Sequence, residues 1–269
     1  SNSNSNNSNS NSIASSSSHP HSIELNVVEK EKIPNLNNEQ SIAHLVFGLL
    51  EAIAYLHNKK YAFRDLRPSN ILLDQHGQPA LVHLGVMRAL SGKEPAEDNT
   101  IFAAPELFLQ RVHSTSDVWS VGVVWAWLLQ SREEKSKFPL FFGTNAADTL
   151  RKIAQIVSAP SQQDLTEMQN HFQLEADKMQ LLEQNASKQA IDQLPPNATS
   201  AQLAQRCSKA NDKILSLLSK MLIFNPIKRY SVQDVLAHEY WKQFDLKETS
   251  TTHNSKETST TDNSKETST

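Results

Sequence analysis

Residues 63–73 read Phe-Arg-Asp-Leu-Arg-Pro-Ser-Asn-Ile-Leu-Leu and form the most informative segment of the chain. Before it, in 39–58, apolar residues recur every three or four positions, which predicts one amphipathic helix. The apolar run 71–73 at its end and the apolar run 80–82 flank a turn signal at 75–77, which predicts a short β-hairpin. Asp65 and Asn70 therefore share one short loop between a helix and a hairpin.

This loop resembles the catalytic loop of protein kinases, whose pattern is H-R-D-L-K-P-x-N-[IL]-L. The resemblance implies that Asp65 accepts the hydroxyl proton of a protein substrate and that Asn70 binds a metal bridging the nucleotide phosphates. It also places Leu72 in the nucleotide site. Arg67 stands where Ser/Thr kinases carry lysine, and it keeps a positive charge near the transferred phosphate in a larger, planar form. Phe63 replaces the histidine of the pattern.

The resemblance continues further along the chain. FAAPE at 102–106 looks like the A-P-E segment that closes the kinase activation loop. DVWSVG at 117–122 is similar to the D-x-W-S-x-G start of the buried central helix. The resemblance implies structural roles, in which Asp117 holds the catalytic-loop backbone and Glu106 pairs with Arg229.

The C-terminal half is similar to MAP kinases. PLFFG at 139–143 resembles their P-L-F-x-G motif, and 158–165 looks like the start of the MAP kinase insert. LLSKMLIFNPIKR at 217–229 is similar to the extracellular-signal-regulated class. Over about 38–244 the resemblance implies a mainly α fold, the C-terminal lobe of a protein kinase with a short β-hairpin.

The chain departs from the kinase pattern at His83. Kinases carry D-F-G where this chain has His83-Leu84-Gly85, and pairing across the hairpin predicts that Asn70 lies roughly opposite His83. Magnesium prefers anionic oxygen ligands, so we interpret His83 as a structural histidine at a degenerate position of the cofactor site. Arg64 would bind a phosphorylated residue, but no T-x-Y occurs between Gly85 and Pro105, so we assign Arg64 a structural role.

A second departure concerns the nucleotide-binding lobe. The six glycines stand at positions 48, 77, 85, 92, 122 and 143, and no two of them are two residues apart, so no G-x-G-x-x-G loop occurs in this sequence. Fewer than forty residues precede the first predicted helix, which is too few for a five-stranded lobe. We therefore expect the N-terminal β lobe to be absent.

Composition divides the chain into three parts. Residues 1–22 form a Ser/Asn-rich segment predicted to be disordered, 23–245 form the kinase lobe, and 246–269 form a predicted disordered tail with a nine-residue repeat. A net charge of −3 gives no indication of nucleic acid or a membrane surface as a partner. The single cysteine, Cys207, and the lack of a secretory signal favour the cytoplasm or nucleus.

Three functional hypotheses follow from these features. The first is a pseudokinase-like interaction module that binds protein substrates or kinase-pathway partners. The second is an ATP-dependent Ser/Thr kinase truncated at its N-terminal lobe, and the third is a gene fragment without a function of its own. ATP and magnesium are the expected cofactors only if the protein is active.

Overall fold

The computed structural model describes residues 36, 38–74, 77–84, 87–89, 101–131, 140–141, 143–187 and 203–246. The predicted Ser/Asn-rich segment and nearly all of the predicted repeat tail lie outside the described residues. The expected absence of an N-terminal β lobe concerns residues before 36, which also lie outside them.

The described part of the chain is mainly α-helical, as predicted. The principal helices are α1 Glu39–Asn58, α2 Thr115–Leu129, α3 Ala146–Val157, α4 Gln162–Phe172, α5 Ala176–Asn185, α6 Asp212–Met221 and α7 Val232–Leu236. Short 3-10 turns span Pro68–Asn70, Pro105–Leu109 and Glu239–Gln243. The strands are β1 Tyr61–Ala62, β2 Ile71–Leu73, β3 Pro79–Leu81 and β4 Arg88–Ala89, which pair as β1–β4 and β2–β3.

Helix α1 begins and ends where the sequence pattern predicts. The Asn38 side chain accepts a hydrogen bond from the backbone N–H of Ser41 at 2.7 Å, which satisfies a donor of the first turn. The apolar stripe of α1, including Leu49 and Ile53, is fully buried. It packs against α2, whose residues are buried on nearly every side because the helix runs through the core.

The hairpin forms, but with a register one residue away from the predicted one. Ile71 faces Leu81, and the backbone N–H of Val82 donates to the carbonyl of Asn70 at 3.0 Å. Asn70 is therefore opposite Val82, one position before His83, which it was predicted to face approximately. The difference arises because an odd number of residues, 74–78, separates β2 from β3; Gly77 in this segment has a φ of 79°.

Helices α6 and α7 are short. Helix α6 ends at Met221, and the carbonyls of Ile223 and Phe224 beyond it accept hydrogen bonds from the Arg229 guanidinium. Helix α7 is followed by the Glu239–Gln243 turn. His238 separates them with an extended backbone, and its ring accepts the N–H of Tyr240 at 3.2 Å.

An aromatic cluster joins the first described helix to the last described turn. Trp125 of α2 stacks on Trp241 with ring centroids 5.5 Å apart, and Phe47 of α1 meets the same Trp241 ring edge-on at 5.4 Å. Tyr240 packs against both Trp125 and Trp241. Among the described residues, no helix combines the length and the apolar content needed to cross a bilayer.

Candidate active site

Asp117 fixes the backbone of the predicted catalytic loop. It lies in the first turn of α2 and is fully buried. Its Oδ2 accepts the N–H of Phe63 at 2.9 Å, and its Oδ1 accepts the N–H of Arg64 at 2.7 Å. These two bonds fix the start of the loop, where Arg64 has a left-handed backbone with a φ of 72°.

Asp65 and Asn70 are in direct contact. The Asn70 amide nitrogen donates to both the backbone carbonyl and the Oδ2 of Asp65, each at 2.8 Å. Asn70 is buried, whereas the Asp65 side chain is 24% exposed. The loop therefore closes on itself, with the carboxylate at the surface and the asparagine beneath it. With its nitrogen engaged, Asn70 has its amide oxygen left to bind a cation.

Arg67 faces the other oxygen of the same carboxylate. Its Nε lies 3.3 Å from Asp65 Oδ1, within ion-pair distance, although the N–H makes no directed hydrogen bond. Both oxygens of Asp65 therefore face donors from its own loop. The partly exposed Arg67 side chain therefore lies beside the oxygen that a substrate hydroxyl would approach.

The residues of the predicted cofactor site do not supply a magnesium ligand set. His83 is exposed and has a left-handed backbone with a φ of 61°. The Leu72 side chain is 41% exposed. Within the described part of the chain, no group of three or more His, Cys, Asp or Glu residues could hold a metal ion. With Asp65 engaged by Asn70 and Arg67, the donor set does not fit magnesium, which prefers carboxylate oxygens.

Glu106 and Arg229 tie the Pro105–Leu109 turn to the loop after α6. Arg229 Nη1 donates to Glu106 Oε1 at 2.7 Å, and Nη2 donates to Oε2 at 3.0 Å. The hydroxyl of Ser116 donates a third hydrogen bond to the Glu106 carboxylate, at Oε1 and 2.7 Å. The guanidinium lies 4.9 Å from the centre of the Trp119 ring. These contacts make Glu106 and Arg229 part of the frame that carries the loop.

One residue near the site was missed by the sequence analysis. His57, near the end of α1, is buried and places its Nε2 2.9 Å from Asp117 Oδ2. Its signal is its position four residues after Ile53, which places it on the buried face of α1. A histidine on an apolar stripe indicates a buried polar partner, and Asp117 is that partner.

Comparison with known proteins agrees with this geometry. The protein kinase domain family matches residues 18–241. A Dictyostelium discoideum protein named as a probable inactive protein kinase is 35% identical, with 71% of this chain and 15% of that protein covered. Mitogen-activated protein kinase 6 of Arabidopsis thaliana is 28% identical, with 76% of this chain and 47% of that protein covered. The chain thus spans less than half the length of either relative.

A solved structure shows the same relationship. The MAP kinase LmaMPK10 of Leishmania major superimposes with a TM-score of 0.61 and 25% identity, covering 81% of this chain and 54% of that one. The fold, the loop held by Asp117 and these matches lead to one conclusion. The chain belongs to the protein kinase domain family and is a MAP kinase-like eukaryotic protein kinase.

Proposed function

We propose that this chain is a pseudokinase-like interaction module that does not transfer phosphate. The observation that carries the proposal is His83, an exposed imidazole where the kinase pattern has the magnesium-binding aspartate. An imidazole is a poor ligand for a hard cation, and the neighbouring described residues supply no replacement carboxylate cluster.

Two further observations support the proposal. The Dictyostelium discoideum relative at 35% identity is named as a probable inactive kinase. The 269 residues contain no G-x-G-x-x-G sequence, and our proposal includes the lack of an N-terminal β lobe within them. Both observations agree with a chain that keeps the C-terminal lobe but does not enclose a nucleotide.

The partners of such a module are proteins. The similarity to MAP kinases of the extracellular-signal-regulated class favours substrates or regulators of a kinase pathway. The lobe that would bind them is well formed here, with Asp117, Glu106 and Arg229 in buried contacts. Nucleic acid is not among the proposed partners, since the net charge is −3.

The test is nucleotide binding by the full 269-residue chain. We expect the melting temperature to be unchanged by ATP, with or without magnesium, because ligand binding to the native state alone would raise it. His83→Asp restores the carboxylate, and His83→Asn is its uncharged control. A magnesium-dependent rise in melting temperature for the wild-type chain with ATP would show that the proposal is wrong.

A second candidate is an active Ser/Thr kinase seen without its N-terminal lobe. The specific observation in its favour is the intact contact between Asp65 and Asn70, at 2.8 Å. Transfer of labelled phosphate to a protein acceptor, abolished by Asp65→Asn, would establish this candidate. A coding sequence before Ser1 with a Gly-rich loop and a strand lysine would favour it as well.

A further inference from the structure

The loop 110–114, between the Pro105–Leu109 turn and α2, holds the end of α4. Arg111 Nη2 lies 2.9 and 2.7 Å from the two carboxylate oxygens of Glu175, and Arg111 Nε donates to the carbonyl of Phe172 at 3.2 Å. Beside this ion pair, the His113 ring lies edge-on to the rings of His171 and Phe172, with centroids 5.6 and 6.2 Å away. We refer to His113, His171 and Phe172 as the histidine latch.

The surroundings of His113 suit a neutral ring. Its Nδ1 lies 2.8 Å from the hydroxyl of Thr115 and 3.3 Å from the backbone N–H of Thr115, the first residue of α2. The backbone N–H of His113 donates to Ser116 Oγ at 3.1 Å. The Thr115 hydroxyl donates to the carbonyl of Pro226 at 2.9 Å, so its oxygen can accept a hydrogen bond from Nδ1. A second proton on the ring would place a cation at the positive end of the helix dipole of α2.

The groups around His113 also disfavour a positive charge on its ring. They are Arg229, His171 of α4 and His57 of α1. The Glu106 carboxylate favours the charged ring, but it already binds Arg229 through both oxygens. Burial, with Arg229 and the two neighbouring histidines, lowers the pKa of His113 below 6.5, against the opposing effect of Glu106.

We propose that the histidine latch holds the C-terminal end of α4 against loop 110–114 at neutral pH and releases it in acid. At neutral pH the uncharged His113 ring packs against His171 and Phe172 and holds α4 against loop 110–114. When His113 becomes protonated, the charged ring is disfavoured in this partly buried position and α4 separates from the loop at that end, against the bonds from Arg111 to Glu175 and to the Phe172 carbonyl.

The other end of α4 stays attached under the same conditions. Asp164 lies 2.8 Å from Lys228 Nζ, accepts a hydrogen bond from Asn225 at 3.0 Å, and has its pKa held at about 2. It therefore remains ionised throughout the pH range in which histidines titrate. The result is a hinged opening, fixed near Ser161 and widest near Phe172, where the bonds from Arg111 to Phe172 and Glu175 must lengthen or break. This inference does not depend on whether the protein transfers phosphate.

The direction of the pH effect follows from linkage. Because the folded-state pKa of His113 is lowered, the unfolded or opened state binds more protons as the pH falls below 6.5. The attachment is complete above that value and weakens below it. The glutamine variant of His113 keeps a polar side chain but cannot gain this proton.

Hydrogen exchange on the full chain tests the latch, at about pH 7.5 and about pH 5.5, on either side of the histidine range. After correction for intrinsic rates, we expect amides in 165–175 to exchange several-fold faster at the lower pH, while α6 stays protected. His113→Gln should remove the acceleration. His238→Gln is the matched control, because His238 also accepts a backbone N–H at a turn start but lies outside the latch.

Two outcomes would overturn the proposal: equal protection of 165–175 at both pH values, or an acceleration that persists in His113→Gln. If that variant does not fold, NMR titration of the wild-type chain decides the matter. Protonation of His113 should then coincide with a change in the Phe172 ring resonances. A His113 that titrates while the Phe172 resonances stay constant would contradict the latch.

Discussion

Glu106 and Arg229 stand 123 residues apart in sequence and form a two-pronged ion pair with 0% exposure of either side chain. Neither charge reaches water, so each depends on the other and on Ser116 and nearby backbone carbonyls for its hydrogen bonds. The pair joins the turn after Ala104 to the end of the lobe. Breaking this ion pair should therefore lower the free energy of unfolding of the whole domain.

Arg229→Met should destabilise the fold strongly, because it leaves the Glu106 carboxylate buried without a counter-charge. We expect a loss of about 3–5 kcal/mol in the free energy of unfolding, measured by urea denaturation. Lys152→Met is the matched control, since it removes a cation from a partly exposed pair with Asp148 and should cost less than about 1 kcal/mol. Equal losses for the two variants would disprove a special role for the buried pair.

Asp117→Asn should loosen the catalytic loop. The amide keeps one acceptor oxygen where the carboxylate offers two, so the N–H groups of Phe63 and Arg64 can no longer both be satisfied. We expect a loss of about 1–3 kcal/mol and faster hydrogen exchange at these two amides. Asp177→Asn, at a side chain that is 71% exposed, serves as the control. Unchanged exchange at Phe63 and Arg64 would contradict the assignment.

Asp164 should contribute to stability in a defined acid range. Burial alone would raise the pKa of this carboxyl, but hydrogen bonds from Lys228, Ser161 and Asn225 outweigh burial and hold the pKa at about 2. The stabilisation is complete above 3.8 and is lost as the pH falls through about 2.

Asp164→Asn should therefore remove about 1 kcal/mol at neutral pH, after allowing for screening by solvent, and little at the lowest pH. The measurement is the free energy of unfolding as a function of pH. Asp177→Asn, at a side chain that is 71% exposed, is the surface control and should lower the stability by less. A constant difference between wild type and Asp164→Asn across the acid range would contradict the expected linkage.

Gly48→Ala should destabilise the protein although alanine favours helices. A methyl group at this position of α1 would lie 2.8 Å from Pro79 Cγ and 2.9 Å from Pro79 Cδ, in a ring that cannot rotate away. We expect a net loss of about 1–2 kcal/mol in thermal unfolding. The double variant Gly48→Ala/Pro79→Ala should recover most of the loss. Failure of that rescue would show that the contact between α1 and β3 is not the cause.

Much of this fold follows from local sequence signals. The bounds of α1 were predicted correctly because its apolar stripe is regular and the residue before it, Asn38, is a strong cap. The contact between Glu106 and Arg229, expected from the resemblance to kinases, is present in the structure. In the loop, the closeness of Asp65 and Asn70 follows from their spacing of five positions.

Other features depend on geometry that the sequence pattern does not contain. The hairpin register was off by one because five residues, 74–78, separate β2 from β3, rather than an even number. The ion pair between Arg67 and Asp65 depends on a side-chain rotamer, and the bond from His57 to Asp117 depends on how α1 crosses α2. Such tertiary contacts become visible only once the helices are placed.

The stacked pair of Trp125 and Trp241 gives this protein a built-in optical reporter. Their rings are 5.5 Å apart and inclined by 25°, close enough for the transition dipoles of the two indoles to couple. One ring belongs to the central helix and the other to the final turn. The near-ultraviolet circular dichroism band should therefore register undocking of the last turn from the central helix, without any added label.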